Sequence, residues 1–265
     1  MNVDVIKPIE KKPIKDRVWE VDLLRGFLIL FVVFDHFMWT VVFQIFGNFG
    51  WLTNFAFNYV DGAARAAVHG VFVAGFMLLS GVSTAFTRSN FKKSIRVLFF
   101  AFFLTWFTYI AEATDIMPEM IISFGILHVI GFSGLIWTLL EKIKMPAWVI
   151  IVFAVQVLFI GYYFVANPLT VAMSSKNLIF FIFVETSKQG TLSPMDYFPL
   201  LPWFGWFLVG VGVSKLLYKN KKTLFPKVNE KIVRPLTFCG RHSLEIYFLG
   251  VIGAVVLLFL ISLMM

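Results

Sequence analysis

The sequence predicts an all-α integral membrane protein, a polytopic helical bundle of about seven spans with re-entrant or interfacial segments. Of 265 residues, 59% are hydrophobic and 14% are charged, so the apolar side chains exceed what one soluble core can cover. Apolar runs near the length of a spanning helix, about 20 residues, recur along the chain. The polar stretches between these runs are short, which leaves no room for a separate soluble domain.

Each predicted span is an apolar run bounded by polar or turn-forming residues. Pro199 and Pro202 near the start of the sixth run fit a helix entrance, where a missing backbone N–H costs least. Residues 1–17 are polar and basic, so we expect a basic tail followed by one membrane-embedded domain, 18–265. The predicted spans are roughly 21–46, 69–87, 96–114, 120–140, 146–165, 198–218 and 242–264.

Two further segments are predicted to lie at the outer membrane surface. The apolar run 178–184 is too short to cross a bilayer. The stretch 48–68 is aromatic and weakly charged, which is typical of an interfacial or re-entrant segment. We expect the two segments to cover a cavity formed by spans one, two, four, six and seven.

Basic residues are concentrated on one predicted side of the membrane. Nineteen of the 23 Lys and Arg residues lie in the tail, in 88–96, in 142–144 and in 215–241. The positive-inside rule therefore predicts a plasma-membrane protein with a cytoplasmic N-terminus and, after seven spans, an external C-terminus. The net charge of +8 belongs to these loops, so the expected partner is the lipid bilayer and not nucleic acid.

Several classes of chemistry have no matching pattern in the sequence. The single cysteine, Cys239, excludes an intramolecular disulfide and a multi-cysteine metal site. The chain has no phosphate-binding G-x-x-x-x-G-K-[ST] loop, no G-x-S-x-G elbow and no H-E-x-x-H pair. Nucleotide hydrolysis and zinc proteolysis are thereby excluded, and we expect no metal.

Ionisable side chains within the spans are the candidate functional residues, because each costs about 2.5–3.5 kcal/mol to insert. Arg25 and His36 are eleven residues apart, which places them on nearly one helix face and about 16 Å apart along the axis. An extended pantetheine arm has that order of length, so Arg25 is predicted to hold a phosphate of coenzyme A while the thioester reaches His36. Alternatively, Arg25 pairs with Asp22 and anchors the helix at the headgroups.

His36 is the predicted catalytic residue, because an imidazole with a pKa near 6.5 suits proton transfer at neutral pH. It acts either as a general base or as an acyl carrier, and the structural alternative is a hydrogen-bonded interior histidine. Asp35 is predicted as a second site residue. It lies about 100° away round the helix, so it orients His36 through a neighbouring helix or a water, or pairs elsewhere.

Three further residues complete the candidate set. His128 lies at about the depth of His36 in the fourth span, where it shares proton transfer and acceptor positioning or packs against a backbone group. Arg241 and His242 lie at the inner entrance of the seventh span. They are predicted to bind the donor, with a headgroup anchor as the alternative.

Five sequence blocks, in order, carry a resemblance that extends over nearly the whole chain. With them the sequence resembles the catalytic domain of the heparan-alpha-glucosaminide N-acetyltransferase family in its short bacterial form. It is more distantly similar to the membrane O-acetyltransferases of bacterial surface glycans. The blocks are WEVDLLRGFLILFVVFDHF (19–37), FVAGFMLLSGVSTAF (72–86), ISFGILHVIGFSGLI (122–136), DYFPLLPWFGWFLVGVG (196–212) and GRHSLEIYFLG (240–250).

The resemblance implies an acyltransferase domain that takes acetyl-CoA from the cytoplasm. The acceptor it implies is an amino or hydroxyl group of a saccharide or glycan on the far side. Arg25 and His36 match the Arg-to-His spacing of the surface-glycan enzymes, in which that histidine is catalytic. In the animal lysosomal members the catalytic histidine lies in the outer segment after the first span, which makes Asp61, Arg65 and His69 alternatives.

Two other functions fit parts of the sequence. A transporter or permease for a small or lipid-linked substrate would use the buried charges as a substrate or proton path. A membrane scaffold needs no buried charge, so Arg25, His36 and His128 argue against it. A homo-oligomer is compatible with either membrane function.

Overall fold

A computed structural model describes residues 18–44, 46–114, 121–168, 178–184, 196–228 and 230–264. The predicted tail, 1–17, lies outside the described residues, as does Met265. Ten helices form the described structure, and short 3-10 turns at Ser83–Phe86 and Glu141–Ile143 extend α3 and α5. The helices are α1 (Trp19–Val42), α2 (Trp51–Val60), α3 (Ala63–Val82), α4 (Asn90–Ala113), α5 (Ile126–Leu140), α6 (Ala147–Ala166), α7 (Leu178–Phe183), α8 (Leu200–Leu217), α9 (Glu230–Arg241) and α10 (Ser243–Ser262).

Within the described residues, six segments are long and apolar enough to cross a membrane. Each overlaps one of the predicted spans, and the remaining prediction, 21–46, corresponds to the 24-residue helix α1. The prediction of an all-α polytopic membrane bundle is therefore confirmed. The six segments are Ala63–Phe86, Asn90–Ala113, Ile126–Ile143, Ala147–Ala166, Leu200–Leu217 and Ser243–Ser262.

The outer surface of the bundle is apolar in the way a lipid-facing surface requires. Phe159 on α6 is 76% exposed and Leu249 on α10 is 69% exposed. Water would penalise such a surface, whereas lipid chains cover it without cost. The main hydrophobic core lies between α5, α6 and α8, where Trp137, Ile150 and Phe207 are buried.

The segments between the spans differ from the predictions in two places and agree in one, the run 178–184. The stretch 48–68 forms the short helix α2 and then the first turn of α3, which begins six residues before the predicted start of the second span. The run 178–184 forms the six-residue helix α7, which is too short to cross. Helix α9, which packs along α1, was not predicted, because its charged residues and Pro235 are more typical of a loop.

Close crossings between helices depend on paired glycines. At the α3–α8 crossing, a Cβ added at Gly81 would overlap the carbonyl oxygen of Phe207, and one added at Gly210 would overlap that of Leu78. Gly26 of α1 and Gly240 of α9 form a second crossing of the same kind. Small residues let helix backbones approach closely in membranes, where packing drives association.

The α3–α8 crossing yields a stability prediction with a control on the same helix. Gly81→Ala forces the two backbones apart, so we expect it to lower the free energy of unfolding by about 1–3 kcal/mol. Gly70→Ala adds its methyl group where no atom lies within 4 Å. The control should leave stability unchanged or raise it by up to about 1 kcal/mol through helix propensity. Equal melting temperatures for the two variants in detergent would contradict the crossing.

Candidate functional site

Polar side chains from several elements converge around Asp35 and His36 on α1. They come from α2, from the first two turns of α3, from the segment before α8 and from the first turn of α10, so residues distant in sequence form one cluster. The contributing residues are Tyr59, Arg65, His69, Asp196 and Tyr247.

Asp35 is held by residues of α2 and α3. Arg65 donates from Nε to Asp35 Oδ1 at 2.7 Å and from Nη2 to Oδ2 at 2.9 Å, while Tyr59 donates its hydroxyl to Oδ1 at 3.0 Å. Burial and the adjacent carboxylate raise the pKa of Tyr59 to about 12, so its hydroxyl remains a donor. The bidentate pair is largely buried, which makes it a strong constraint. Asp35 therefore pairs with Arg65 and not with the adjacent histidine.

The contacts of His36 select one tautomer of its ring. Nδ1 lies 2.9 Å from the carbonyl oxygen of Val32, one turn earlier on α1. A carbonyl oxygen only accepts, so Nδ1 carries the proton and Nε2 carries the lone pair. Nε2 faces the hydroxyl of Tyr247 at 3.5 Å, the outer limit of a hydrogen bond, and the two rings meet edge to face. His36 thus presents an unprotonated nitrogen to the interior of the bundle.

Asp196 lies beside His36 at the entrance to α8. Its Oδ2 accepts a hydrogen bond of 3.2 Å from the backbone N–H of Ile126, and a single parallel bridge joins Tyr197 to Phe124. Burial raises the pKa of the Asp196 carboxyl to about 6, and this rise is opposed by the charge of His36 and by the Ile126 N–H. Asp196 is therefore a carboxyl that changes charge near neutral pH next to the candidate base.

His128 has both ring nitrogens engaged inside the protein. Nδ1 accepts from the backbone N–H of Gly125 at 3.2 Å, which leaves the proton on Nε2, 3.2 Å from Thr105 Oγ1. The side chain is 1% exposed. These contacts fix the start of α5 against α4, as the packing interpretation expects, and the predicted role in proton transfer remains a prediction.

The alternatives raised by the lysosomal pattern occupy different positions. Arg65 is engaged with Asp35, and Asp61 is exposed at the end of α2. The ring of His69 stacks on Phe198 with ring centroids 6.2 Å apart, and the charges of Asp35 and Arg65 act on it. Of these three residues, His69 lies near His36 and is not part of the Asp35–Arg65 ion pair.

Arg25 lies near the other end of α1, about 16 Å along the helix axis from His36. Its guanidinium donates to the hydroxyl of Ser83, which in turn donates to the carbonyl oxygen of Leu79 at 2.6 Å. Nη1 also lies 3.6 Å from Asp22. The ion pair of the anchoring interpretation is therefore present, and it leaves part of the five-donor guanidinium for a ligand.

A family model described as "Heparan-alpha-glucosaminide N-acetyltransferase, catalytic" matches residues 17–251. The chain belongs to this family. Comparison with curated proteins gave no match, and comparison with solved structures also gave none. The predicted resemblance is confirmed over most of the chain, and membership in the N-acetyltransferase family implies acyltransferase activity.

The remaining predicted site residues of this family member lie at the junction of α9 and α10. Arg241 donates from Nε to the carbonyl oxygen of Thr237 at 3.0 Å, and His242 packs against the ring of Phe238. Both side chains are exposed. The structure does not bring them into contact with Arg25, so their role in binding the donor remains a prediction.

Two residues beside His36 were missed by sequence reasoning as site residues. Tyr247 falls near the start of the last predicted span and Asp196 just before the sixth, and neither position marks a site residue in the sequence. Both lie in blocks shared with the N-acetyltransferase family, which was the available signal. Their proximity to His36 arises from helix packing, which a single sequence does not reveal.

The Asp35–Arg65 pair yields the prediction for this site. Asp35→Asn and Arg65→Gln each leave a buried partner uncompensated, so we expect each to lower the free energy of unfolding by about 3–5 kcal/mol. The double variant should lose less than the sum of the two, as measured by a double-mutant cycle in detergent. Arg88→Gln, at an exposed cation, is the control. Additive losses would mean that the two groups do not interact.

Proposed function

We propose that the protein transfers an acetyl group from cytoplasmic acetyl-CoA to an amino or hydroxyl group of a saccharide or glycan at the outer side of the membrane. The family match supports acyl transfer, and the family's description supports an amino sugar as the first acceptor to test. The spacing of Arg25 and His36 along α1 supports a donor that enters from one end of the helix and reacts near the other. Residues 18–265 act as the acyltransferase domain, with the tail 1–17 in the cytoplasm.

The contact of His36 Nδ1 with the carbonyl oxygen of Val32 is the observation that carries the catalytic assignment, because it leaves Nε2 of the neutral ring with the lone pair. As a general base, Nε2 takes the proton of the acceptor as that group attacks the thioester carbonyl. The tetrahedral intermediate then releases coenzyme A as a thiolate, and the thiolate takes the proton from His36. Val32 holds Nδ1 throughout, so Nε2 is the position that gains and loses the proton.

The same lone pair also permits a covalent route. Nε2 attacks the thioester carbonyl, coenzyme A leaves as the thiolate, and the resulting N-acetyl-imidazole carries the acetyl group. The acceptor then attacks this acyl-histidine, gives its proton to a base or to water and restores the free imidazole. In both routes His36 becomes cationic, which an ionised Asp196 stabilises.

In this proposal the other site residues hold the helices or the donor in place. Asp35 holds Arg65 and Tyr59 and so fixes α2 and α3 over the outer part of α1. His128 fixes the start of α5, where the Ile126 N–H holds Asp196. Arg25 binds a phosphate of the donor, with Arg241 and His242 at the same cytoplasmic end of the bundle.

Replacement of His36 tests the proposal. His36→Gln should reduce acetyl transfer to glucosamine-containing saccharides by about 100-fold to 10,000-fold, because the group that carries the proton is lost. Coenzyme A binding and the melting temperature should stay close to those of the unmodified protein, since Arg25 is untouched. His69→Gln is the matched control, because it removes one imidazole from a neighbouring helix.

The outcomes separate the mechanism, the site and the function. Mass spectrometry after incubation with acetyl-CoA alone detects an acetylated protein in the covalent route and none in the general-base route. Near-normal transfer by His36→Gln, with loss of transfer in His69→Gln, would move the site to α3. Failure of the unmodified protein both to bind coenzyme A and to acetylate any saccharide would contradict the proposed function.

A further inference from the structure

Helix α6 has two opposite faces, and the described part of the protein covers one of them. The covered face packs against α8 and contains Ile150, Ala154, Val157 and Gly161. A second set of residues recurs at the same alternating spacings of three and four, and most of its members are exposed. This open face consists of Val149, Val152, Gln156, Phe159 and Tyr163. The two sets are offset by two residues, about 200° of helical rotation, so they lie on opposite sides of the helix.

Gln156 lies at the midpoint of α6, on the open face. It comes nine residues after Ala147 and ten before Ala166, so it lies about 14 Å from either end of the helix. Every other residue from 149 to 161 is hydrophobic or glycine. In the part of the chain that the structure describes, no hydrogen bond joins the Gln156 amide to another group. Lipid chains offer neither donors nor acceptors at this depth, so an amide there is costly unless another molecule supplies a partner.

A groove runs beside Gln156 on the same side of the protein. It has a volume of about 390 Å³ and is lined by Leu140 at the end of α5, by Met145 in the following loop and by residues of α6. Apart from the Gln156 amide its walls are largely apolar, so the groove suits apolar side chains from a partner helix. The lining residues of α6 are Trp148, Val149, Val152, Phe153 and Gln156.

We propose that two copies of the chain associate through the open face of α6, with the Gln156 amides of the two copies paired to each other. A two-fold axis along the membrane normal places the same residue of both copies at the same depth. Each amide has NH₂ donors and a carbonyl acceptor, so the two side chains form reciprocal hydrogen bonds across the axis. The spacing of three and four is that of helices that pack at small crossing angles, and one polar side chain within it fixes their register.

The depth and isolation of Gln156 favour a second copy over other partners. Phospholipid headgroups carry polar groups, but they lie at the membrane surface, about 15 Å from the bilayer centre. The acyl chains that reach the centre cannot hydrogen-bond. An unrelated helix would need a polar side chain at the matching depth, whereas an identical copy supplies one by symmetry.

Replacement of Gln156 tests the pairing in lipid vesicles. Full-length protein labelled on its N-terminal tail with donor or acceptor dyes should show energy transfer that rises with the protein-to-lipid ratio. Gln156→Leu removes the hydrogen bonds and should weaken association by about threefold to thirtyfold, whereas Gln156→Asn keeps an amide and should retain most of it. Gln156→Leu adds no polar group, so the monomer should fold, and its melting temperature checks this.

Disulfide cross-linking with an added oxidant locates the interface. The substitution Cys239→Ser first removes the native cysteine. Val152→Cys on the open face should then cross-link two copies, and adding Gln156→Leu should reduce the cross-linked fraction. Leu249→Cys on α10 is the matched control and should stay uncross-linked. Leu249 is six residues into α10, as Val152 is five into α6, and it is the more exposed of the two, at 69% against 51%.

Four results would overturn the proposal. They are a protein that stays monomeric at every protein-to-lipid ratio, equal association of Gln156→Leu and the unmodified protein, cross-linking of Leu249→Cys as efficient as that of Val152→Cys, and binding of a different membrane protein through Gln156 without self-association. If Gln156→Leu failed to fold, the two cysteine variants would still decide. The candidate site residues lie outside α6, so these outcomes do not depend on whether the protein transfers acetyl groups.

Discussion

The charged side chains of α1 must find partners inside an otherwise apolar bundle, and the arrangement of the neighbouring helices follows from those pairings. Glu20 accepts from Thr223 and from the backbone of Leu224, which ties the segment before α9 to the start of α1. At the other end of α1, Asp35 accepts hydrogen bonds from Tyr59 of α2 and Arg65 of α3, which hold these two helices against α1. An unpaired charge costs several kcal/mol in such surroundings, so these contacts constrain the fold as strongly as the core does.

The two ends of α1 therefore carry different functional groups. The end that contains Arg25 presents a cation and suits an anionic ligand. The other end presents an imidazole whose Nδ1 lies against the carbonyl oxygen of Val32 and whose Nε2 faces Tyr247. Asp35 is paired with Arg65, and the charges of both Asp35 and Asp196 act on His36; Asp196 comes from a segment 160 residues further along the chain.

The spans and the site residues of α1 could be predicted from the sequence, whereas the contacts between helices could not. Long apolar runs identify spanning helices directly, so the fold class and the six apolar segments were predictable. Helix α9 was missed because its length, its charges and Pro235 resemble a cytoplasmic loop. His36 was predictable as a buried ionisable group, but its tautomer, and the different bonding of His128, depend on backbone atoms that only the folded chain brings close.

The central claim is that one ligand connects the two ends of α1, with its phosphates at Arg25 and its thioester at His36. A cryo-electron microscopy structure of the protein with a non-hydrolysable acetyl-CoA analogue tests this claim most directly. The account predicts the phosphates beside Arg25 and the acyl carbonyl next to His36 Nε2. An analogue whose acyl group lies beside His128, or outside the bundle, would contradict it.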